Sequence, residues 1–266
     1  MKTNIKNLAI GALISASAIM VTSCQKENMA SKKEQYASII SVATDGSTDV
    51  VVSNLNLALV ETSGLDSSEF QILRKAKEDE KLAQDVYLAL NDVWVNQVFS
   101  NIARSESRHL NAVNMLLAFY GSTDTIIAAQ GEFANPEMKT LYNDLVNKGN
   151  ASLEEALKVG ALIEELDIRD LTLWASQTQN INITMVFENL LKGSRNHLRA
   201  FDRQLTNIGA TYTPQYLDAA TFQSIISTSF EHGKQYLMNK GKGNGRGNGS
   251  GKGNGGNGKG DGTCNN

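Results

Sequence analysis

Cysteine is nearly missing from this 266-residue chain, with only Cys24 and Cys264 near its two ends. A disulfide framework and a cysteine-ligated metal site are therefore both excluded. Proline is as scarce, two residues in all, so little breaks a helix. No apolar run reaches the roughly 20 residues that a membrane-spanning helix needs. The run "LAIGALISASAIMV" stops at about 14. Positive charge is also lacking where it would matter. The chain carries a net −3; the glycine-rich tail holds +4 and the first 23 residues +2, which leaves −9 for the rest. An acidic body with a basic tail is not the profile of a nucleic-acid-binding domain. The cluster His-Glu-x-x-His of zinc hydrolases is missing as well.

The ends separate themselves from the body. Residues 1–23 open with Lys2 and Lys6, pass through the apolar run and reach small residues before Cys24, the layout of a secretory signal. Val21-Thr-Ser-Cys24 resembles the lipobox of bacterial lipoproteins, which implies lipidation of Cys24 and an anchor of acyl chains. The expected location is the cell envelope, at the outer membrane on its periplasmic or surface face, since Gln25 after the cysteine is compatible with outer-membrane sorting. Residues 24–64 read as a tether with one short ordered segment in "VVVSNLNLALV". Residues 239–266 are nearly all Gly, Asn and Lys, and such a composition predicts disorder.

The body, 65–238, is helical by pattern. Asp66-Ser-Ser-Glu69 and Ser152-Leu-Glu-Glu155 are capping-box starts, Asn135-Pro136 is a cap with proline in the first turn, and Gly121, Gly149 and Gly209 mark stops. Long helices are predicted over about 67–95, 97–120, 153–178 and 182–208. A shorter one, about 137–148, lies between the second and third, and a last one spans about 219–238. Four long amphipathic helices bury their stripes against one another, so the fold class is all-α, a four-helix bundle.

Each stripe carries a polar interruption. Leu73, Ala76, Glu80, Ala83, Tyr87 and Leu90 follow steps of three and four, which puts Glu80 inward. Phe99, Ile102, Glu106, His109, Val113 and Leu116 do the same for Glu106 and His109. The third helix turns Glu164 and Asp167 inward, with Glu165 about 100° around and within a modest rotation of exchange. The fourth presents Ser194 and His197. A lone buried histidine is usually a satisfied core residue. Several carboxylates converging with two imidazoles repel one another unless a cation neutralises them. Carboxylate and imidazole donors without thiolate suit iron or manganese, and a calcium site does not want histidine. Tyr87 is placed as a hydrogen-bond partner or one-electron relay behind the site, against the plainer reading of a core tyrosine. Arg195, Arg199 and Arg203 read as a solvated row, and His232 as exposed.

The sequence resembles the ferritin-like superfamily of di-iron carboxylate proteins, which place one Glu on each of two helices and Glu-x-x-His on the other two. Glu80, Glu106-x-x-His109, Glu164 and His197 match that pattern, while Ser194 stands where a second Glu-x-x-His would have its carboxylate. The wording "DEKLAQDVYLAL", "FSNIARSESRH", "VGALIEELDI" and "ENLLKGSRNHLRAF" is similar to the DUF2202 domain over about 66–217. The resemblance implies two iron ions, with Asp167 or Glu165 replacing the missing ligand, or one ion if neither does. It also implies dioxygen or hydrogen peroxide as substrate and iron-dependent oxidase or peroxidase activity. A tether, a tail and an extra helix disfavour a closed cage, whereas a homodimer is compatible. The competing expectation is a metal-free helical surface lipoprotein that binds a partner.

Overall fold

The computed structural model describes residues 38–59, 63–123 and 127–232. The secretory signal, Cys24 and the tail lie outside the described residues. Among those described, the order is β1 (Ile40–Val42), β2 (Thr48–Val50), α1 (Val52–Ala58), α2 (Ser67–Trp94), α3 (Gln97–Phe119), α4 (Pro136–Gly149), α5 (Leu153–Gln177), α6 (Ile181–Asn207) and α7 (Ala219–Ile226).

Local chemistry sets the helix starts. Asp66 Oδ1 accepts from Glu69 N–H at 2.8 Å while Glu69 Oε2 accepts from Asp66 N–H at 3.2 Å, a closed capping box on α2. Ser152 Oγ accepts from Glu155 N–H at 3.1 Å to start α5, and Asn135 Oδ1 accepts from Glu137 N–H at 2.9 Å to start α4. The two-residue link Val95-Asn96 folds α2 and α3 into an antiparallel pair, and α5 and α6 form the second pair. The pairs meet along α2 with α5 and α3 with α6, and α4 packs on α2 and α5. The fold is all-α, a helical bundle. Its core stacks Tyr87, Phe99 and Phe201 with ring centroids 5.3–6.5 Å apart. No helix among the described residues is long and apolar enough to cross a membrane.

Two features differ from expectation. The tether read over 24–64 holds an antiparallel hairpin, with Ile40 opposite Val50 and Val42 opposite Thr48, packed on α3 and α6. Its strands are three residues each, too short for an alternation to register in sequence. Gly46, at φ +91°, makes the turn in a backbone conformation that disfavours other residues. The last helix ends at Ile226, not near 238. Beyond it, Glu231 meets Arg195 in a bidentate pair at 2.7 Å and Arg199 at 3.0 Å. The arginine row expected to face solvent is therefore partly covered, and Arg199 is buried.

Candidate metal centre

The helix period delivers six ionisable side chains to the middle of the bundle. Glu80 comes from α2, Glu106 and His109 from α3, Glu164 and Asp167 from α5, and His197 from α6. All six are buried. Ligand atoms of Glu106, His109 and His197 lie within 4.8 Å of one another, a group that can hold a metal ion.

Glu106 is the hub. Its Oε2 is 2.8 Å from Nδ1 of His109, and its Oε1 is 2.7 Å from Nδ1 of His197. On the outer sides, Glu80 Oε2 lies 3.3 Å from His109 Nδ1, and Glu164 Oε2 lies 3.4 Å from His197 Nδ1. The two rings stack at 5.4 Å with 19° between planes. The halves are nonetheless unequal. His109 makes a true hydrogen bond to Glu106. Glu106 Oε1, Glu164 Oε2 and His197 Nδ1 have no hydrogen-bond partner, although His197 Nδ1 lies 2.7 Å from the first and 3.4 Å from the second. Buried polar atoms are rarely left so, because each forfeits its hydration without replacement.

The electrostatics agree with a crowded anionic site. Burial raises the Glu80 carboxyl to about 8 and that of Glu164 to about 7, the latter helped by the charge of Glu106. Burial, with the charges of Glu80, Glu164 and Glu106, holds Asp167 well above the carboxylate range. Glu106 goes the other way: burial opposes its ionisation, but both imidazoles outweigh that and hold it below the ordinary value. Burial pulls His109 and His197 down, and the carboxylates beside them overcome it, to about 10 and about 9. Without metal, protons supply the cations.

The Tyr87 hydroxyl donates to Glu164 Oε1 at 2.7 Å, so it is a partner of the cluster and not only core filling. Glu165 is a correction. Its carboxylate accepts from the Tyr212 hydroxyl at 2.6 Å and from the N–H groups of Gln215, Tyr216 and Leu217 at 2.6–3.0 Å, so it anchors the segment after α6 and cannot swing to the cluster. Ser194 donates to the Leu190 carbonyl at 3.2 Å and supplies no charge. His232 is exposed.

Sequence reasoning missed Thr48 and Gly193. The Thr48 hydroxyl reaches Nε2 of His109 at 2.8 Å and Nε2 of His197 at 3.2 Å. Nothing in a presumed tether signals that contact. A Cβ on Gly193 would lie 2.6 Å from Cε1 of His109, so only glycine leaves room for the ring. A glycine inside a helix costs about 1 kcal/mol relative to alanine, and that cost was the available signal.

Comparisons with known proteins cover the bundle. The family model of an uncharacterized protein domain, DUF2202, matches residues 69–229. The uncharacterized protein MJ0754 of Methanocaldococcus jannaschii is 49% identical over 170 residues, covering 64% of this chain and 92% of its own. The crystal structure of hypothetical protein MJ0754 from Methanococcus jannaschii aligns with a TM-score of 0.63 and 47% identity, over 65% of this chain and 99% of that one. The hairpin precedes the matched segment.

Proposed function

The chain belongs to the DUF2202 domain family, and we propose that it is a ferritin-like di-iron carboxylate protein, an iron-dependent oxidase or peroxidase tethered to the cell envelope. The single observation that carries this reading is the trio Glu106 Oε1, Glu164 Oε2 and His197 Nδ1, buried and without hydrogen-bond partners. A cation beside the three satisfies all of them, which hydrogen bonding inside the protein does not. The donor set fits iron, and manganese next.

The residues divide the work. Glu106 has one oxygen toward each imidazole and is suited to serve two ions at once. His109 with Glu80 would complete one position, and His197 with Glu164 the other. Asp167, one turn from Glu164, is the candidate for the carboxylate that Ser194 does not provide, since Glu165 is committed elsewhere. Tyr87 orients Glu164 through its hydroxyl. The raised carboxyls of Glu80, Glu164 and Asp167 can hold protons and return them as charge at the site changes. Burial excludes water from side reactions. Iron, when bound, supplies the electron transfer to dioxygen or hydrogen peroxide.

A metal-free binding module is the competing reading, and the His109–Glu106 hydrogen bond favours it. It leaves three buried polar atoms, 2.7 and 3.4 Å apart, outside hydrogen-bond geometry. Envelope attachment through a lipid on Cys24 belongs to the same proposal: Cys24→Ser should release the protein from membranes, and retention would contradict it. For the metal centre, chelator-free protein is titrated anaerobically with ferrous iron and then given oxygen or peroxide. The expected result is binding followed by the near-ultraviolet absorbance of oxidised iron. The absence of both binding and absorbance would overturn the proposal.

A further inference from the structure

The metal reading draws all its ligands from the four long helices, yet the two imidazoles also share a partner from outside them. We propose that Thr48, carried by the N-terminal hairpin, is a positioning residue of the metal centre, whose single hydroxyl accepts from Nε2–H of both His109 and His197 and so turns both Nδ1 atoms toward the carboxylates. The proposal rests on the metal reading.

The chemistry is a matter of counting protons. A neutral imidazole that gives its Nδ1 lone pair to a metal must carry its proton on Nε2. Two ligating rings therefore present two Nε2–H donors, and these need two acceptor sites. A threonine hydroxyl has two lone pairs and one proton. It meets both demands at 2.8 and 3.2 Å, whereas it can donate to only one bare Nε2. Hydrogen bonds of this kind to the far nitrogen fix the tautomer and orientation of ligating histidines.

The hairpin is fastened for the purpose. Thr48 N–H donates to Ser105 Oγ at 2.8 Å, one residue before Glu106. Asp49 pairs with Arg108, one residue before His109. Asn101 donates to Asp45 at 2.6 Å at the turn, and Ile39 N–H donates to Asn189 Oδ1 at 3.0 Å on α6. Both histidine-bearing helices thus hold the hairpin. Gly193 leaves the space, since a Cβ there would sit 2.8 Å from His109 Nε2 and 3.5 Å from Thr48 Oγ1. Thr48 precedes the segment that the family model covers, so in this chain the N-terminal extension is part of the site.

The test compares the parent with Thr48→Val, which keeps the shape and loses the hydroxyl, and Thr48→Ser, which restores it. Ferrous iron affinity is measured anaerobically against a chromogenic chelator on the full chain, after thermal melts establish that each variant is folded. Valine should weaken binding about tenfold or more, with serine returning to within about threefold of the parent. Valine binding equal to the parent overturns the proposal and leaves the metal reading intact. A second readout needs no metal. In ¹⁵N-histidine spectra of the metal-free protein, Thr48→Val should move the Nε2 resonances of both rings, and Thr48→Ser should return them toward the parent. Resonances of either ring left unmoved by the valine overturn the proposal, and moved resonances in a parent that binds no iron count against the metal reading alone.

Discussion

The Tyr87 hydroxyl donates to Glu164 Oε1 at 2.7 Å, while Oε2 of the same carboxylate has no hydrogen-bond partner. One oxygen is oriented and the other is left for a cation. Tyr87→Phe keeps the ring against Phe201 and removes only the donor. It should cost about 1–2 kcal/mol in denaturant unfolding of the metal-free protein. It should also lower iron affinity about tenfold. A variant with parental affinity would return Tyr87 to the status of core tyrosine.

Gly193→Ala places a methyl 2.6 Å from the His109 ring. The ring sits between Glu106, Glu80 and Thr48, so it must tilt away from the carboxylates or push the helices apart. The expected cost is about 1–3 kcal/mol, and metal analysis should find about one ion fewer per chain. Full loading with parental stability would show that the ring has room to spare.

Proton binding gives a pH signature. His109 near 10 and His197 near 9 lie above the ordinary 6.5, and Glu80 near 8 and Glu164 near 7 lie above 4.5. All four bind protons more tightly in the folded chain, so stability falls as pH rises through this range. Their histidine contribution is complete below pH 6.5 and is lost as pH climbs through 9 and 10. Glu106, held low, acts oppositely, but its contribution changes only below its ordinary value of 4.5. Melts with chelator should drop steadily from pH 6.5 to 9. Iron must displace those protons, so its affinity should climb over the same interval. A melting temperature that rose with pH would contradict the assignment.

Two neighbouring acids on α5 separate ligand from anchor. Asp167→Ala should reduce iron stoichiometry with the fold intact. Glu165→Ala strips the acceptor from Tyr212, Gln215, Tyr216 and Leu217. It should cost at least about 2 kcal/mol and expose the chain after α6 to protease, with stoichiometry unchanged. The reverse pattern would restore Glu165 as the ligand.

Much of this was legible because helices repeat. Glu80, Glu106, His109, Glu164, Asp167 and His197 fall on their apolar stripes by spacing alone, and Asp66, Asn135 and Ser152 begin helices where their side chains can accept from the next turn. What escaped depended on segments without a period. Glu164 and Glu165 stand about 100° apart on one helix, and the choice between them is made by residues 212–217, whose N–H groups claim Glu165. The arginine row looked solvated because Glu231, its partner, lies in an irregular stretch past α7. Thr48 was hidden deepest. Its strand is three residues long, and its value lies entirely in two imidazoles 61 and 149 residues away.

Glu106 sets one carboxylate oxygen at Nδ1 of each histidine, so its removal is the most direct test. Chelator-free parent and Glu106→Ala, both loaded anaerobically with ferrous iron and desalted, are compared by metal analysis. The expected result is two ions per chain in the parent and less than one in the variant. Equal iron in the two proteins, or none in the parent, would contradict a metal centre built on Glu106.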